Sequence, residues 1–94
     1  MIGDIKKRAL HRTKILEGQM RGVQKMIENE DYCMEIITQS LAIQKSISSL
    51  NKLILENHVR THIKHSLNSD SEKDQEKAVA ELLELYELTN VRGK

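Results

Sequence analysis

The sequence predicts an all-α fold, and three observations carry that reading. The chain has 94 residues and contains no proline and only four glycines, so little in it breaks a helix. It has no Phe or Trp and two Tyr, which leaves an aliphatic core. Its apolar residues recur three and four apart rather than alternately, the helical period. At this length one domain is expected, spanning residues 1–94, and a core this small is marginal unless copies assemble.

The first helix is expected over about residues 4–28, on the stripe Ala9, Thr13, Leu16, Met20, Val23 and Ile27. Gly18 and Gly22 lie four apart and leave room for a close helix approach. Asn29-Glu30-Asp31 interrupts the pattern, with Asp31 placed as N-cap of the next helix. That second helix is expected over about residues 32–66, with Ile36, Ser40, Ile43, Ile47, Leu50 and Ile54 widened by Ile37, Leu41 and Leu53. At 1.5 Å per residue it would run to about 50 Å, more than one protomer can cover. A polar linker follows, in which Ser69 and Glu72 have capping-box spacing. The third helix is expected over about residues 70–89, with Val79, Leu82, Leu83, Tyr86 and Leu88 on its apolar side.

The net charge of +1 conceals a gradient. Residues 1–26 hold seven basic against two acidic side chains, net +5, while residues 27–66 carry −1 and residues 67–94 carry −3. A basic first helix is a candidate anion-binding face. The competing reading is an ordinary solvated surface, which charge alone would favour. No apolar run reaches the ~18 residues of a membrane span, and no signal peptide opens the chain. The single cysteine excludes an internal disulfide framework and fits a reducing compartment, so a cytoplasmic protein is expected.

Cys33 stands at the start of the second helix, and His58, His62 and His65 near its end. Imidazoles at i, i+4 can present two nitrogens to one transition metal, and His65 three further on extends the same face. Cys33 and His58 are 25 residues apart, roughly 37 Å along one helix, so they cannot share an ion within a chain. Two copies packed antiparallel about an axis crossing near residues 45–48 would bring Cys33 of one to His58 and His62 of the other. Ser46, Ser48 and Ser49 are small enough there for close approach, and Cys33, Ser40, Ile47 and Ile54 repeat every seven residues as a helical seam does. The plain alternative for Cys33 is a small core residue. A thiolate with two imidazoles suits Cu(I), with Ni(II), Co(II) or Zn(II) as alternatives if His65 or the N-terminus adds a fourth ligand.

The segment Ile15-Leu16-Glu17-Gly18-Gln19-Met20-Arg21-Gly22-Val23, then Tyr32-Cys33, Ala42-Ile43-Gln44 and Asn57-His58-Val59-Arg60-Thr61-His62, resembles the CsoR/RcnR/FrmR family of bacterial metal-sensing repressors. The likeness covers roughly residues 5–90. It implies a three-helix protomer forming an antiparallel four-helix-bundle dimer and then a dimer of dimers, a homotetramer. It implies that the metal-free tetramer binds operator DNA and that inducer binding releases it, derepressing metal efflux or detoxification genes. Cys33, His58 and His62 match the family's ligand positions, with an imidazole where the copper branch has its second thiolate. Tyr32 and Glu81 match that branch's supporting residues around the metal. Arg12 matches the family's basic residue for DNA, with Lys6, Lys7, Lys14 and Arg21 nearby. The second DNA arginine falls at Ser49, and Lys52 one turn away is the candidate substitute.

Copper leads among inducers, because the nickel and cobalt sensors add an N-terminal histidine that this chain lacks; His62-x-x-His65 resembles that second branch and keeps it as runner-up. The persulfide-sensing branch needs two cysteines, and the formaldehyde branch has a proline where this chain has Ile2. A metal buffer without DNA affinity is a more distant alternative, opposed by the basic first helix. An enzyme acting through Cys33 is not expected, since no phosphate loop, oxyanion hole or adjacent carboxylate-oriented base accompanies it. Neither a membrane nor a small organic substrate is expected as partner.

Overall fold

A computed structural model describes residues 1–92, with side chains placed through Leu88. The described residues form helices and no strand: α1 (Gly3–Glu28), α2 (Cys33–His58), a π-helical turn (Val59–Ile63), α3 (Lys64–Leu67) and α4 (Glu72–Arg92). Two compact units result, one being Met1–Asn57 and the other the residues from His58 on.

In the first unit α1 and α2 pack antiparallel. Ile5, Ala9 and Leu53 are buried together with Leu50 against them, and burial of each large aliphatic side chain contributes about 2 kcal/mol. Asn57, only 7% exposed, accepts the Ile2 N–H on Oδ1 at 2.8 Å. That bond fixes the start of α1, whose N-cap Ile2 has no capping side chain of its own.

The face that α1 buries differs in part from the expected stripe. Ile5, Ala9, Leu16, Gln19, Val23 and Met26 are buried or half-buried, whereas Met20 and Ile27 are exposed. The expected stripe is covered at Ala9, Thr13, Leu16 and Val23 and strays from the covered face only at Met20 and Ile27. A split also occurs on α2. Ile36, Ile43, Leu50 and Asn57 face inward at seven-residue intervals, while Cys33, Ser40, Ile47 and Ile54 form a parallel line that is exposed throughout. Neither Gly18 nor Gly22 makes a close approach: a Cβ at Gly22 would meet nothing within 4 Å, and one at Gly18 only the tip of Arg21 at 3.9 Å.

The α1–α2 connection is a Schellman ending. Glu30 adopts φ 54°, its N–H reaches the Ile27 carbonyl at 3.0 Å, and the Asp31 N–H reaches that of Met26 at 2.9 Å. Asp31 therefore finishes α1 rather than capping α2. The cap position falls to Tyr32, whose carbonyl accepts from Glu35 and Ile36 at 2.9 and 3.3 Å.

In the second unit the chain stays helical through Leu67, as expected, but Val59–Ile63 is π-helical rather than α-helical. α3 and α4 then pack on each other, with Ile63 2% and Ala78 1% exposed. The cap of α4 is Ser71, two residues beyond the expected capping-box start: its Oγ accepts the Asp74 N–H at 3.3 Å. Ser69 braces the turn, donating to Asp74 Oδ2 and accepting the Ser71 N–H, both at 3.1 Å. The packed side of α4 is Gln75, Ala78, Glu81 and Leu85, while Val79, Leu82, Leu83, Tyr86 and Leu88 are exposed.

Candidate metal centre

The packed side of α4 is what brings a carboxylate to the histidines. His58, the last residue of α2, is half-buried, and its Nε2 lies 3.2 Å from Glu81 Oε2. A carboxylate can only accept, so in this pair the imidazole donates from Nε2, and in a neutral ring the lone pair is then on Nδ1. That is the arrangement by which a carboxylate orients a metal-binding histidine and raises its basicity. The His62 ring lies beside it, centroid to centroid 5.1 Å and tilted by 37°. His62 is exposed within the π-helical turn, and His65 is exposed on α3.

Cys33 is the first residue of α2, a free and exposed thiol. Tyr32 precedes it, also exposed. Within the first unit α2 runs without a break from residue 33 to residue 57, a rise of about 36 Å. Among the described residues no group of three or more His, Cys, Asp or Glu side chains is placed to hold a metal ion. The donors present nevertheless fit a soft cation: one thiol free of other bonds, and an imidazole pair whose first member is already oriented by a carboxylate.

The basic residues divide by exposure. Lys6, Lys7, Lys14 and Arg21 on α1 and Lys52 on α2 are exposed, whereas Arg12 and Ser49 are half-buried. Arg12 thus lies at the edge of the face that α1 turns to α2. Arg8 is 3.9 Å from Asp4, an exposed pair of little energetic weight. Asn57 had no role assigned from sequence, although a polar residue closing the inward line Ile36, Ile43, Leu50 was a visible signal. Gln19 is a second such residue, with Oε1 buried and no hydrogen-bond partner.

Residues 5–87 match the family model of metal-sensitive transcriptional repressors. The copper-sensing transcriptional repressor CsoR of Bacillus subtilis (strain 168) is 36% identical over 76 residues, 81% of this chain and 72% of that protein. CsoR of Mycobacterium tuberculosis (strain ATCC 25618 / H37Rv) is 36% identical over 56 residues, covering 60% of this chain and 47% of that protein. This chain therefore spans only about half the length of the mycobacterial relative. Among solved structures, the copper-sensing repressor CsoR with Cu(I) from Geobacillus thermodenitrificans NG80-2 matches with a TM-score of 0.82 at 29% identity, over 96% of this chain and 91% of that one. A family model that spans residues 5–87, beside relatives and a solved structure of the same kind, leaves one assignment: the chain belongs to the family of metal-sensitive transcriptional repressors, not to an enzyme family.

Proposed function

We propose that this protein is a copper-responsive transcriptional repressor, acting as a single domain over residues 1–94, whose metal-free form binds operator DNA and whose Cu(I)-bound form releases it. The observation that carries the reading is the arrangement of the histidine pair: Glu81 engages His58 Nε2 at 3.2 Å, and the His62 ring lies 5.1 Å from the His58 ring, centroid to centroid. The missing donor is a sulfur, and Cys33 stands at the far end of α2. An antiparallel second copy supplies it, so each site takes Cys33 from one protomer and His58 and His62 from its partner. The exposed line Cys33, Ser40, Ile47 and Ile54 is the surface on which that copy docks, giving a four-helix-bundle dimer and, by pairing of dimers, a tetramer. Tyr32, next to the thiol, joins Glu81 in supporting the bound ion. Similarity to copper-sensing relatives and to a Cu(I)-bound structure favours copper.

Operator DNA meets the basic face of α1, through Lys6, Lys7, Arg12, Lys14 and Arg21, with Lys52 of α2 beside it. Repetition by symmetry turns a +5 patch into a surface long enough for a duplex, and affinity falls steeply with salt as counterions are displaced. Linkage requires Cu(I) to bind the DNA-incompetent form more tightly by the factor that it weakens DNA binding. Such a protein works in the cytoplasm, and among the described residues no helix is long and apolar enough to cross a membrane.

The test is a competition titration with Cu(I), Ni(II), Co(II) and Zn(II) that reads metal affinity and release of the protein's own promoter DNA together. Stoichiometric release by Cu(I) is expected. Release by Ni(II) or Co(II) alone reassigns the inducer, and promoter DNA left unbound by the metal-free protein rejects the repressor reading.

A further inference from the structure

The π-helical turn follows His58, contains His62 and precedes His65, and its geometry bears on which of them can act together. The Lys64 N–H reaches back to the Val59 carbonyl, five residues away. The turn therefore encloses one residue more than an α-helical turn does. Each α-helical residue advances by about 100° around the axis, so one surplus residue sets everything after it back by about that angle. In an unbroken helix His65, seven residues beyond His58, would stand within about 20° of it. With the surplus residue absorbed, His65 lies about 120° away, and Ser66 takes the place near His58. Burial agrees: Ser66 is half-buried like His58, while His65 is exposed. The histidines accordingly do not converge as a trio, whereas His58 and His62 keep their rings 5.1 Å apart.

We infer that the π-helical turn at Val59–Ile63 is a specificity-determining element that limits the centre to two imidazoles by carrying His65 out of register, a role that rests on the metal centre proposed for Cys33, His58 and His62. A site with one sulfur and two nitrogens suits low-coordinate Cu(I), whereas a third nitrogen would favour Ni(II) or Co(II), which take more ligands. The chain thus carries a third histidine at a spacing that invites those ions and a backbone that withholds it.

The test compares the full-length protein with His65→Ala and Ser66→His, titrated with Cu(I) and with Co(II), the latter followed by its visible absorption. His65→Ala is expected to stay within about twofold of the unaltered chain for both ions, with the Co(II) spectrum unchanged. Ser66→His is expected to tighten Co(II) binding tenfold or more and to shift its absorption. A tenfold loss of Co(II) affinity or a shifted spectrum in His65→Ala overturns the inference, as does a folded Ser66→His without gain. Circular dichroism reports whether Ser66→His folds; if it does not, His65→Ala alone decides. Failure of the proposed centre is seen elsewhere, as absent Cu(I) binding in the unaltered chain or full Cu(I) binding in Cys33→Ala.

Discussion

Glu81 is a surface carboxylate on an acidic helix by sequence, and only its neighbour makes it special. Holding His58 Nε2 at 3.2 Å, it orients the ring that, in the proposed centre, turns Nδ1 to the metal. Removing such a supporting group costs metal-binding sites about 10–100-fold in affinity. Glu81→Ala is therefore expected to weaken Cu(I) binding by that factor while metal-free DNA binding persists, as read by competition with a Cu(I) chelator and by DNA retardation. Unchanged Cu(I) affinity would remove Glu81 from the centre. The candidate ligand residues were visible, because a cysteine and a spaced histidine pair stand out from a helical background. Asn57 and Gln19 were less so, since a polar residue on an inward line reads from sequence as a break in the pattern. Its significance depends on what lies opposite, and for Asn57 that is a backbone N–H more than fifty residues away.

At the scale of elements, the ending of α1 places a glutamate where glycine is preferred. Glu30 at φ 54° bears the left-handed penalty of about 1 kcal/mol that glycine avoids. Glu30→Gly is expected to raise the unfolding free energy by about that amount, less what glycine's extra freedom in the unfolded chain returns. A denaturant midpoint that fails to rise would show that the turn is held by more than its backbone. The basic face of α1 supplies a second element-scale expectation. Arg12→Ala should lower operator affinity and flatten its salt dependence, by about one unit of slope for each phosphate left unneutralised, with Cu(I) affinity unaltered. An unchanged salt slope would take Arg12 out of the DNA face.

Helix positions were readable because apolar spacing and the absence of proline act locally. Helix faces were less so. Each of α1, α2 and α4 carries an apolar band wider than one neighbour covers, and spacing alone cannot say which edge the neighbour takes. On α4 the expected face of Val79, Leu82, Leu83, Tyr86 and Leu88 lies open, and the packing is made at Ala78 instead. The π-helical turn left no mark in composition, since it arises where backbone bonds shift to i→i+5 under packing.

At the scale of the whole molecule, the open faces and the divided donor set point to the same conclusion. A line of side chains at seven-residue spacing runs exposed along α2 and begins with the cysteine. If a second copy buries that line, disrupting it must abolish metal binding without touching a ligand. Ile47→Asp, near the proposed axis, is expected to shift the protein to monomers in light scattering and to cut Cu(I) affinity by at least tenfold. A monomeric variant that still binds Cu(I) at full strength would mean the centre is assembled within one chain. Its metal-free DNA affinity should fall as well, because the +5 patch is then no longer repeated.

The sequence by itself determined that the chain is helical, where its helices lie, which residues bear thiol and imidazole, and that the first helix is the basic one. These properties follow from local spacing, composition and charge, which each stretch carries wherever it sits. The tertiary structure decided which edge of each apolar band is covered, how closely Glu81, a supporting residue by resemblance, meets His58, and that a surplus residue sets His65 back from His58. Those outcomes depend on how helices share their neighbours, a competition between faces of similar hydrophobicity that no single stretch can settle.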